Sequence, residues 1–167
     1  MRFPRQLVPL SIVGTNLVSF AVMLVVVVVL SLWRIPEARD TVWLAFPLGA
    51  LLACIVAGFA LAVASLNALY RDVEHLLQAL LLPWFFLTPV LYSLDQLPGV
   101  DEYPAADFFL HWVNFLTPPI EAMRSVLFYG ETPGAPDTIY TVIAALVALG
   151  VGAWIFSRSD DRIATEV

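Results

Sequence analysis

The sequence has no lysine, one cysteine and few charges of either sign. Only 13% of its 167 residues are Asp, Glu, Lys or Arg, whereas a soluble domain usually carries about a quarter. Cys54 stands alone, so it has no partner within the chain for a disulfide or for a cysteine metal site. We therefore expect no disulfide framework and a chain that is not a typical soluble domain.

Motifs of the common catalytic classes are also missing. The sequence contains no GxxxxGK[ST] phosphate loop, no HExxH and no GxSxG, the signatures of three frequent kinds of active site. Asp72, Glu74 and His75 are close in sequence, but neighbouring positions at a helix end point in different directions, and no second cluster complements them. We predict that the chain is not an enzyme, has no metal site and binds no cofactor. Its net charge of −6 offers no basic face, so we expect no nucleic-acid partner.

Long apolar runs make up most of what is present. Hydrophobic residues are 60% of the chain and the mean hydropathy is +0.86. About 20 apolar residues in a helix cross a bilayer, and four charge-free runs meet or nearly meet that length: Gln6 to Trp33, Thr41 to Tyr70, Leu76 to Leu94 and Thr138 to Ser157. We predict an all-α integral membrane protein with about four transmembrane helices, and we find no composition break that would divide residues 1–167 into two domains.

The arginines predict the orientation, because cytoplasmic loops carry the excess of positive charge. If the amino terminus is cytoplasmic, five arginines lie inside and three outside: Arg2, Arg5, Arg71, Arg158 and Arg162 against Arg34, Arg39 and Arg124. The long connection from Asp95 to Asp137 contains seven acids and one arginine, which suits an outer loop. We expect a multi-pass protein of the cytoplasmic membrane with both termini in the cytoplasm.

Two connections have features beyond simple turns. The second and third runs meet at a charged elbow, Tyr70-Arg71-Asp72, and the third run contains Pro83 and Pro89, each of which removes a backbone donor and is expected to kink the helix. In the outer loop, a short helix is predicted from an N-cap at Thr117 to a stop at Gly130.

The short outer-loop helix is predicted to be amphipathic. Ile120, Met123 and Leu127 share one face, and Glu121 and Arg124 can pair on another. This helix is too short to span the membrane. We expect it to lie in the outer interface or to dip into the bilayer as a re-entrant element packed against protein.

Five segments follow one another in a distinctive order: Arg2-Phe3-Pro4-Arg5, Leu66-Asn67 to Tyr70-Arg71-Asp72-Val73, Phe85 to Tyr92 with Leu97-Pro98, Asn114 to Pro118 with Glu121 and Arg124, and Trp154 to Arg158. This order resembles the membrane subunit of ABC-2 type exporters, in the branch that exports polysaccharides such as O-antigen and teichoic acid. Such permeases usually have six spans. The resemblance therefore implies that this chain corresponds to the C-terminal part of a permease, about its last four spans.

The resemblance also implies partners and roles. The family works as a dimer of permeases bound to two ATPase subunits, so we expect a second permease copy, an ABC ATPase that holds ATP and Mg²⁺, membrane lipid and a glycan substrate. It implies three groups of site residues: Arg2, Phe3, Pro4, Arg5, Tyr70, Arg71 and Asp72 for ATPase coupling and the cytoplasmic gate; Trp84, Phe85, Phe86, Pro89 and Tyr92 for the translocation path; and Trp112, Asn114, Pro118, Glu121 and Arg124 at the outer exit.

Alternatives remain open for each group. The aromatic side chains could simply pack against lipid or neighbouring helices, the elbow charges could be ordinary charges at a helix end, and Glu121 and Arg124 could form a surface pair worth a few tenths of a kcal/mol. For the whole chain, the alternatives to glycan export are an ABC-2 permease for a drug or lipid, and a non-transporting membrane anchor or truncated remnant.

Overall fold

The computed structural model describes residues 7–70, 72–93 and 104–165, and every regular element in these ranges is helical. The α-helices are α1 (Leu7–Arg34), α2 (Ala45–Leu69), α3 (Val73–Leu87), α4 (Pro104–Phe108), α5 (Thr117–Arg124) and α6 (Ala135–Thr165). Two 3₁₀ turns, Pro36–Arg39 and Val42–Leu44, join α1 to α2, and two π-helical turns, Phe109–Val113 and Ser125–Tyr129, follow α4 and α5. The predicted all-α class is confirmed.

Three segments of the described chain are long and apolar enough to cross a membrane: Ser11–Arg34, Val42–Ala68 and Ala135–Arg158. They coincide with the first, second and fourth predicted runs. Many of their large apolar side chains are exposed, among them Val18, Met23 and Leu146, each at least 66% exposed. A surface this apolar is rare in proteins surrounded by water, and it is expected where the helices are surrounded by hydrocarbon. The chain is a multi-pass membrane protein.

The third run behaves differently from its prediction. It is helical over Val73–Leu87 only, about 22 Å of helix, which is short of the roughly 30 Å of hydrocarbon. Thr88 leaves the helix with φ −84° and ψ 128°, the extended conformation that the residue before a proline favours. Pro89 therefore ends α3 instead of kinking it, whereas Pro83 does lie inside the helix. The residues from Leu94 onward in this run lie outside the described part.

Helices α2 and α6 form the closest packed pair of the fold. At their crossing the backbones touch through two glycines: a Cβ atom on Gly152 would lie 2.1 Å from the Gly58 carbonyl oxygen, and one on Gly58 would lie 2.3 Å from the Ala148 carbonyl. Ala145 is buried beside this crossing. Small residues that let backbones approach are the usual means of joining helices in lipid, where apolar burial alone offers little.

A buried apolar cluster joins α1 to the start of α2 and to the end of α5. Its members are Val28, Val42, Ala45, Leu48, Ala122, Val126 and Leu127. We call the end of the molecule with the α1–α2 connection the hairpin side, and the end with the α2–α3 connection the elbow side. Helix α6 begins on the hairpin side, next to the end of α5.

Residues 104–129, which comprise α4, α5 and their π-helical turns, form a re-entrant segment. At its tip the ring of Phe115 lies 5.5 Å, centroid to centroid, from the ring of Phe59. Phe59 is 14 residues into α2, about 21 Å along that helix, so the tip reaches past the middle of the apolar span. Of the two predicted placements, interfacial or re-entrant, the structure has the second.

The glycine crossing predicts opposite results for two neighbouring glycines of α6. Gly152→Ala should lower the free energy of unfolding by about 1 to 3 kcal/mol, because the new methyl group overlaps the α2 backbone. Gly150→Ala should be neutral or stabilising by up to about 1 kcal/mol, since alanine favours helix and nothing lies within 4 Å of the new Cβ. Thermal unfolding of the two variants in the same detergent measures this, and equal midpoints would contradict the crossing.

Candidate functional site

Polar side chains bind the last turn of α3 to the tip of the re-entrant segment. The Trp84 indole N–H donates to Asn114 Oδ1 at 3.0 Å, Asn114 Nδ2 donates to the Thr88 hydroxyl at 2.9 Å, and that hydroxyl donates to the Trp84 carbonyl at 2.9 Å. Asn114 and Thr88 are buried. Asn114 Oδ1 also accepts a bond from the Leu116 N–H. The side-chain amide therefore joins two chain segments at membrane depth with its polar atoms paired.

Arg124 makes a second connection to the same end of α3. Its guanidinium donates to the backbone carbonyls of Pro89 and Tyr92 and to the Glu121 carboxylate, the last at 2.5 Å. The side chains of Arg124 and Glu121 are only 13% and 19% exposed. The predicted pair thus forms, but it is not a surface pair, and the arginine is shared with backbone 35 residues away in sequence.

Tyr92 completes the hydrogen bonding of the interrupted helix. Its hydroxyl reaches back to the Phe86 and Leu87 carbonyls, at 3.0 and 3.3 Å. The last carbonyls of a helix have no helical donors, and in hydrocarbon such groups need a substitute. The single Tyr92 O–H serves one of these two carbonyls or is shared between them, and Arg124 supplies donors to the carbonyls of Pro89 and Tyr92. A little further on, the hydroxyls of Ser93 and Tyr129 lie 3.3 Å apart.

The other end of the re-entrant segment is fixed to the α1–α2 connection. The Ser31 hydroxyl donates to the Leu127 carbonyl at 2.5 Å, and the Thr41 hydroxyl donates to the Val126 carbonyl at 3.3 Å. Gly130 follows with φ +69°, and a Cβ there would lie 2.7 Å from the Glu37 carbonyl carbon. Only glycine adopts this positive φ and allows this close contact at low cost. The predicted stop at Gly130 is therefore confirmed.

Helix α6 holds the segment from a third direction. The Tyr140 hydroxyl donates to the Trp112 carbonyl at 2.9 Å, and the two rings lie 5.7 Å apart. His111 Nε2 lies 2.8 Å from Asp137 Oδ1. Trp112, predicted at the outer exit, is therefore packed between His111 and Tyr140.

An apolar cavity of about 550 Å³ lies between α2, α3 and the re-entrant tip. Three aromatic rings meet at its wall: the centroid of the Trp84 ring lies 5.3 Å from that of Phe115 and 6.4 Å from that of Phe59. Helix α3 faces α2 across this space instead of packing against it along its length. Apart from Thr88 and the ring of Phe85, the remaining lining is aliphatic: Val56, Ala60, Val63, Leu77, Leu81, Val90, Leu116 and Ile120. The cavity suits hydrocarbon and offers almost no hydrogen bonds.

The structure brings together residues that the sequence placed in two separate groups. Trp84, Pro89 and Tyr92, predicted for the path, share one cluster with Asn114 and Arg124, predicted for the exit. Pro118 and Glu121 lie on α5 in the same region, Pro118 buried. Phe85 and Phe86 contact each other at 5.6 Å and are 44% and 61% exposed, so they remain accessible from outside the chain.

The predicted elbow residues are described only in part. Tyr70 is 64% exposed, with extended backbone, and its carbonyl accepts a bond from the Val73 N–H at 3.2 Å. Asp72 stands just before α3 and makes no side-chain capping bond. Arg2, Phe3, Pro4, Arg5 and Arg71 lie outside the described residues, so their predicted roles in coupling stay predictions.

One cap was predicted wrongly, and several partners were missed. Thr117 does not cap α5: the helix begins with it, after Leu116, and its hydroxyl donates backwards to the Leu110 carbonyl at 2.7 Å. Ser31, Thr41, Thr88 and Tyr140 had no predicted role. Lone hydroxyls in or beside apolar runs were the available signal, because a hydroxyl at membrane depth needs an acceptor.

Comparison with known proteins defines the class of this chain. The family model of the ABC-2 type transporter matches residues 2–128, most of the chain, and the chain therefore belongs to this family. No solved structure matches it.

Two curated relatives make the similarity more specific. Over an alignment of 173 positions that covers the whole chain, the sequence is 28% identical to the O-antigen export system permease protein RfbA of Myxococcus xanthus. It is 30% identical over 117 aligned residues, 66% of the chain, to the protein of the same name in Klebsiella pneumoniae. The matches span 63% and 45% of those two proteins, so the chain corresponds to less than two thirds of either.

The Asn114 connection predicts a stability difference between two asparagines. Asn114→Ala should lower the free energy of unfolding by about 1 to 3 kcal/mol, because it removes a buried side chain and leaves the half-buried Trp84 N–H without an acceptor. Asn16→Ala removes only an exposed bond to the Ile12 carbonyl on α1 and should change stability by less than about 0.5 kcal/mol. Unfolding midpoints in one detergent test this; a loss at Asn16 as large as at Asn114 would refute the connection.

Proposed function

We propose that this chain is the membrane-spanning permease subunit of an ABC exporter that moves polysaccharide or lipid-linked glycan out across the cytoplasmic membrane. The observation that carries the proposal is the similarity along the whole chain to a protein named as an O-antigen export permease. The interrupted α3 and the re-entrant segment support a transport role, because backbone that leaves helical geometry at membrane depth is typical of sites that line or close a path.

The proposal includes partners for this subunit. ATP and Mg²⁺ bind a separate ABC ATPase, two permease copies form the transporter, and both termini of this chain lie in the cytoplasm. Closure of the ATPases on ATP would move the elbow side, through Arg71, Asp72 and the segment from Arg2 to Arg5. That motion would open a route for the glycan between the two permease copies.

Exposed aromatic rings on α3 are the proposed glycan contacts. Phe86, 61% exposed, projects from the helix where a second copy or a substrate can reach it, whereas Phe85, 44% exposed, is accessible beside it but also lines the apolar cavity. Ring faces bind sugar weakly enough to let a polymer slide. Trp84 is differently placed, since its N–H is bound by Asn114 and its ring packs on Phe59 and Phe115. We propose that Trp84 shapes the wall of the path without touching sugar.

The apolar cavity favours a second candidate, an ABC-2 permease for a lipid or a hydrophobic small molecule. A space of about 550 Å³ lined almost wholly by hydrocarbon has the character of a small-molecule site but lacks the polar groups that would orient a sugar. This candidate shares the ATPase and the dimer with the first. The two differ only in the cargo.

An export assay separates the two candidates. The chain and its ABC ATPase are expressed in a strain that lacks its own O-antigen export permease, and surface O-antigen is measured by gel and antibody. Glycan export predicts that surface O-antigen returns only when the ATPase can hydrolyse ATP, so a hydrolysis-deficient ATPase is the control. If the chain is in the membrane with its ATPase bound and no glycan reaches the surface, glycan export is rejected. ATP-dependent efflux of a lipid or dye would then establish the second candidate.

Two exposed residues one helical turn apart test the aromatic contact. Phe86→Ala should lower glycan export about three- to tenfold, the equivalent of one aromatic contact of about 0.5 to 1.5 kcal/mol. Leu82→Ala is the matched control, since Leu82 is 65% exposed against 61% for Phe86 and lies on the same face of α3. The measurement is the rate at which surface glycan appears at equal membrane levels of permease, and equal losses for both variants would contradict stacking.

A further inference from the structure

Helix α3 is held very differently along its length and at its far end. Along its length it faces α2 across the apolar cavity, and at the elbow it is joined to α2 by a short connection, residues 70–72. At its far end, residues 84–93 are bound to the re-entrant segment by Asn114, by Arg124 and by the contact of Ser93 with Tyr129. At this end polar bonds thus add to the ring contacts of Trp84 with Phe59 and Phe115.

We propose that Arg124 is a positioning residue that ties the interrupted end of α3 to the re-entrant segment, so that a displacement of α3 is passed on to the segment's tip. This inference rests on the proposed function, in which motion begins on the elbow side. The role is separate from pairing with Glu121: the groups that matter are the carbonyls of Pro89 and Tyr92.

The chemistry of the site favours this assignment to the arginine. A guanidinium has five donors in a rigid plane and stays charged, so one side chain can serve two carbonyls and a carboxylate together. Both carbonyls follow the break at Thr88, where the helix can no longer supply donors. Glu121, three residues earlier on the same helix, balances the buried charge and orients the guanidinium towards them.

The anchoring of the segment decides which part moves. Its hairpin-side end is fixed by the bonds from Ser31 and Thr41 and by the contact of Gly130 with Glu37. Arg124 lies just before that anchored end. Asn114 lies at the tip, which α3 holds through Trp84 and Thr88, while α6 contacts the segment two residues earlier at Trp112. In this proposal a shift of α3 turns the segment about Val126 and Leu127, against the α6 contacts, and moves its tip relative to Phe59.

The test compares four variants of the full chain, in lipid nanodiscs for hydrogen exchange and in sealed proteoliposomes with the partner ATPase for export. Arg124→Gln removes the charged donors, Arg124→Lys keeps one compact charge, and Glu121→Gln keeps an acceptor without charge. Arg34→Gln is the control, because Arg34 is an exposed arginine at the end of α1 that contacts Trp33. The first readout is amide hydrogen exchange in residues 88–93, and the second is glycan exported per ATP hydrolysed with the partner ATPase present.

The expected pattern is graded. Arg124→Gln should raise amide exchange in residues 88–93 by about tenfold or more. Losing hydrogen bonds from a charged donor should change the equilibrium constant for local opening by at least about tenfold. Arg124→Lys should fall between Arg124→Gln and wild type, Glu121→Gln should change exchange less than about threefold, and Arg34→Gln should not change it. Glycan exported per ATP should fall as exchange in residues 88–93 rises. The rate of ATP hydrolysis itself should stay within about twofold of wild type, because the variants lose coupling and not catalysis.

Three results would overturn the proposal. They are unchanged exchange in both Arg124 variants, an effect of Glu121→Gln as large as that of Arg124→Gln, and full export per ATP despite raised exchange. If Arg124→Gln does not accumulate in the membrane, Arg124→Lys alone decides by the same comparison. A wild-type chain that exports no glycan rejects the proposed function, and the exchange measurement then still decides whether Arg124 holds the end of α3.

Discussion

The need to satisfy every backbone polar group in hydrocarbon governs this structure. Helices α1, α2 and α6 meet the need by themselves, but α3 stops at Thr88 and Pro89 before it has crossed. The carbonyls left by this break are bound by Arg124 and Tyr92, and the turn at the re-entrant tip is held by Asn114. Polar side chains thus supply hydrogen bonds where the helical pattern fails, as lipid requires.

The same constraint divides the protein into a packed frame and a loosely packed helix. At the crossing of Gly58 with Gly152 the backbones of α2 and α6 are in contact, and no side chain there can change rotamer to let them slide. On the opposite face of α2 the cavity separates α3 from the frame. A helix held by polar bonds at one end and by a short connection at the other can move with little loss of apolar contact, whereas α2 and α6 cannot separate without exposing voids.

Sequence reasoning succeeded where a single helix determines the outcome. The apolar runs located α1, α2 and the membrane-spanning part of α6 to within a few residues because spanning length and hydropathy are local properties, although α6 itself continues past the predicted run to Thr165. The pairing of Glu121 with Arg124 and the stop at Gly130 also followed from local spacing. The end of α3 did not, because hydropathy continues through Thr88 and Pro89 although the backbone cannot. The bond between Trp84 and Asn114 joins residues 30 apart in sequence, and no single-chain pattern reveals such a partner.

The arrangement of aromatic residues bears on which surface could carry a polymer. Phe59, Trp84 and Phe115 contact one another, and the one polar edge among them, the Trp84 N–H, is taken by Asn114. A sugar in the cavity would lose its hydrogen bonds to water and find almost none in exchange, a cost of several kcal/mol for each glycan residue. Hydrocarbon would meet no such penalty. In the glycan exporter that we propose, the route therefore belongs outside the cavity, on the side of α3 that bears Phe86, where the proposed second copy can supply the other wall and water can accompany the sugar.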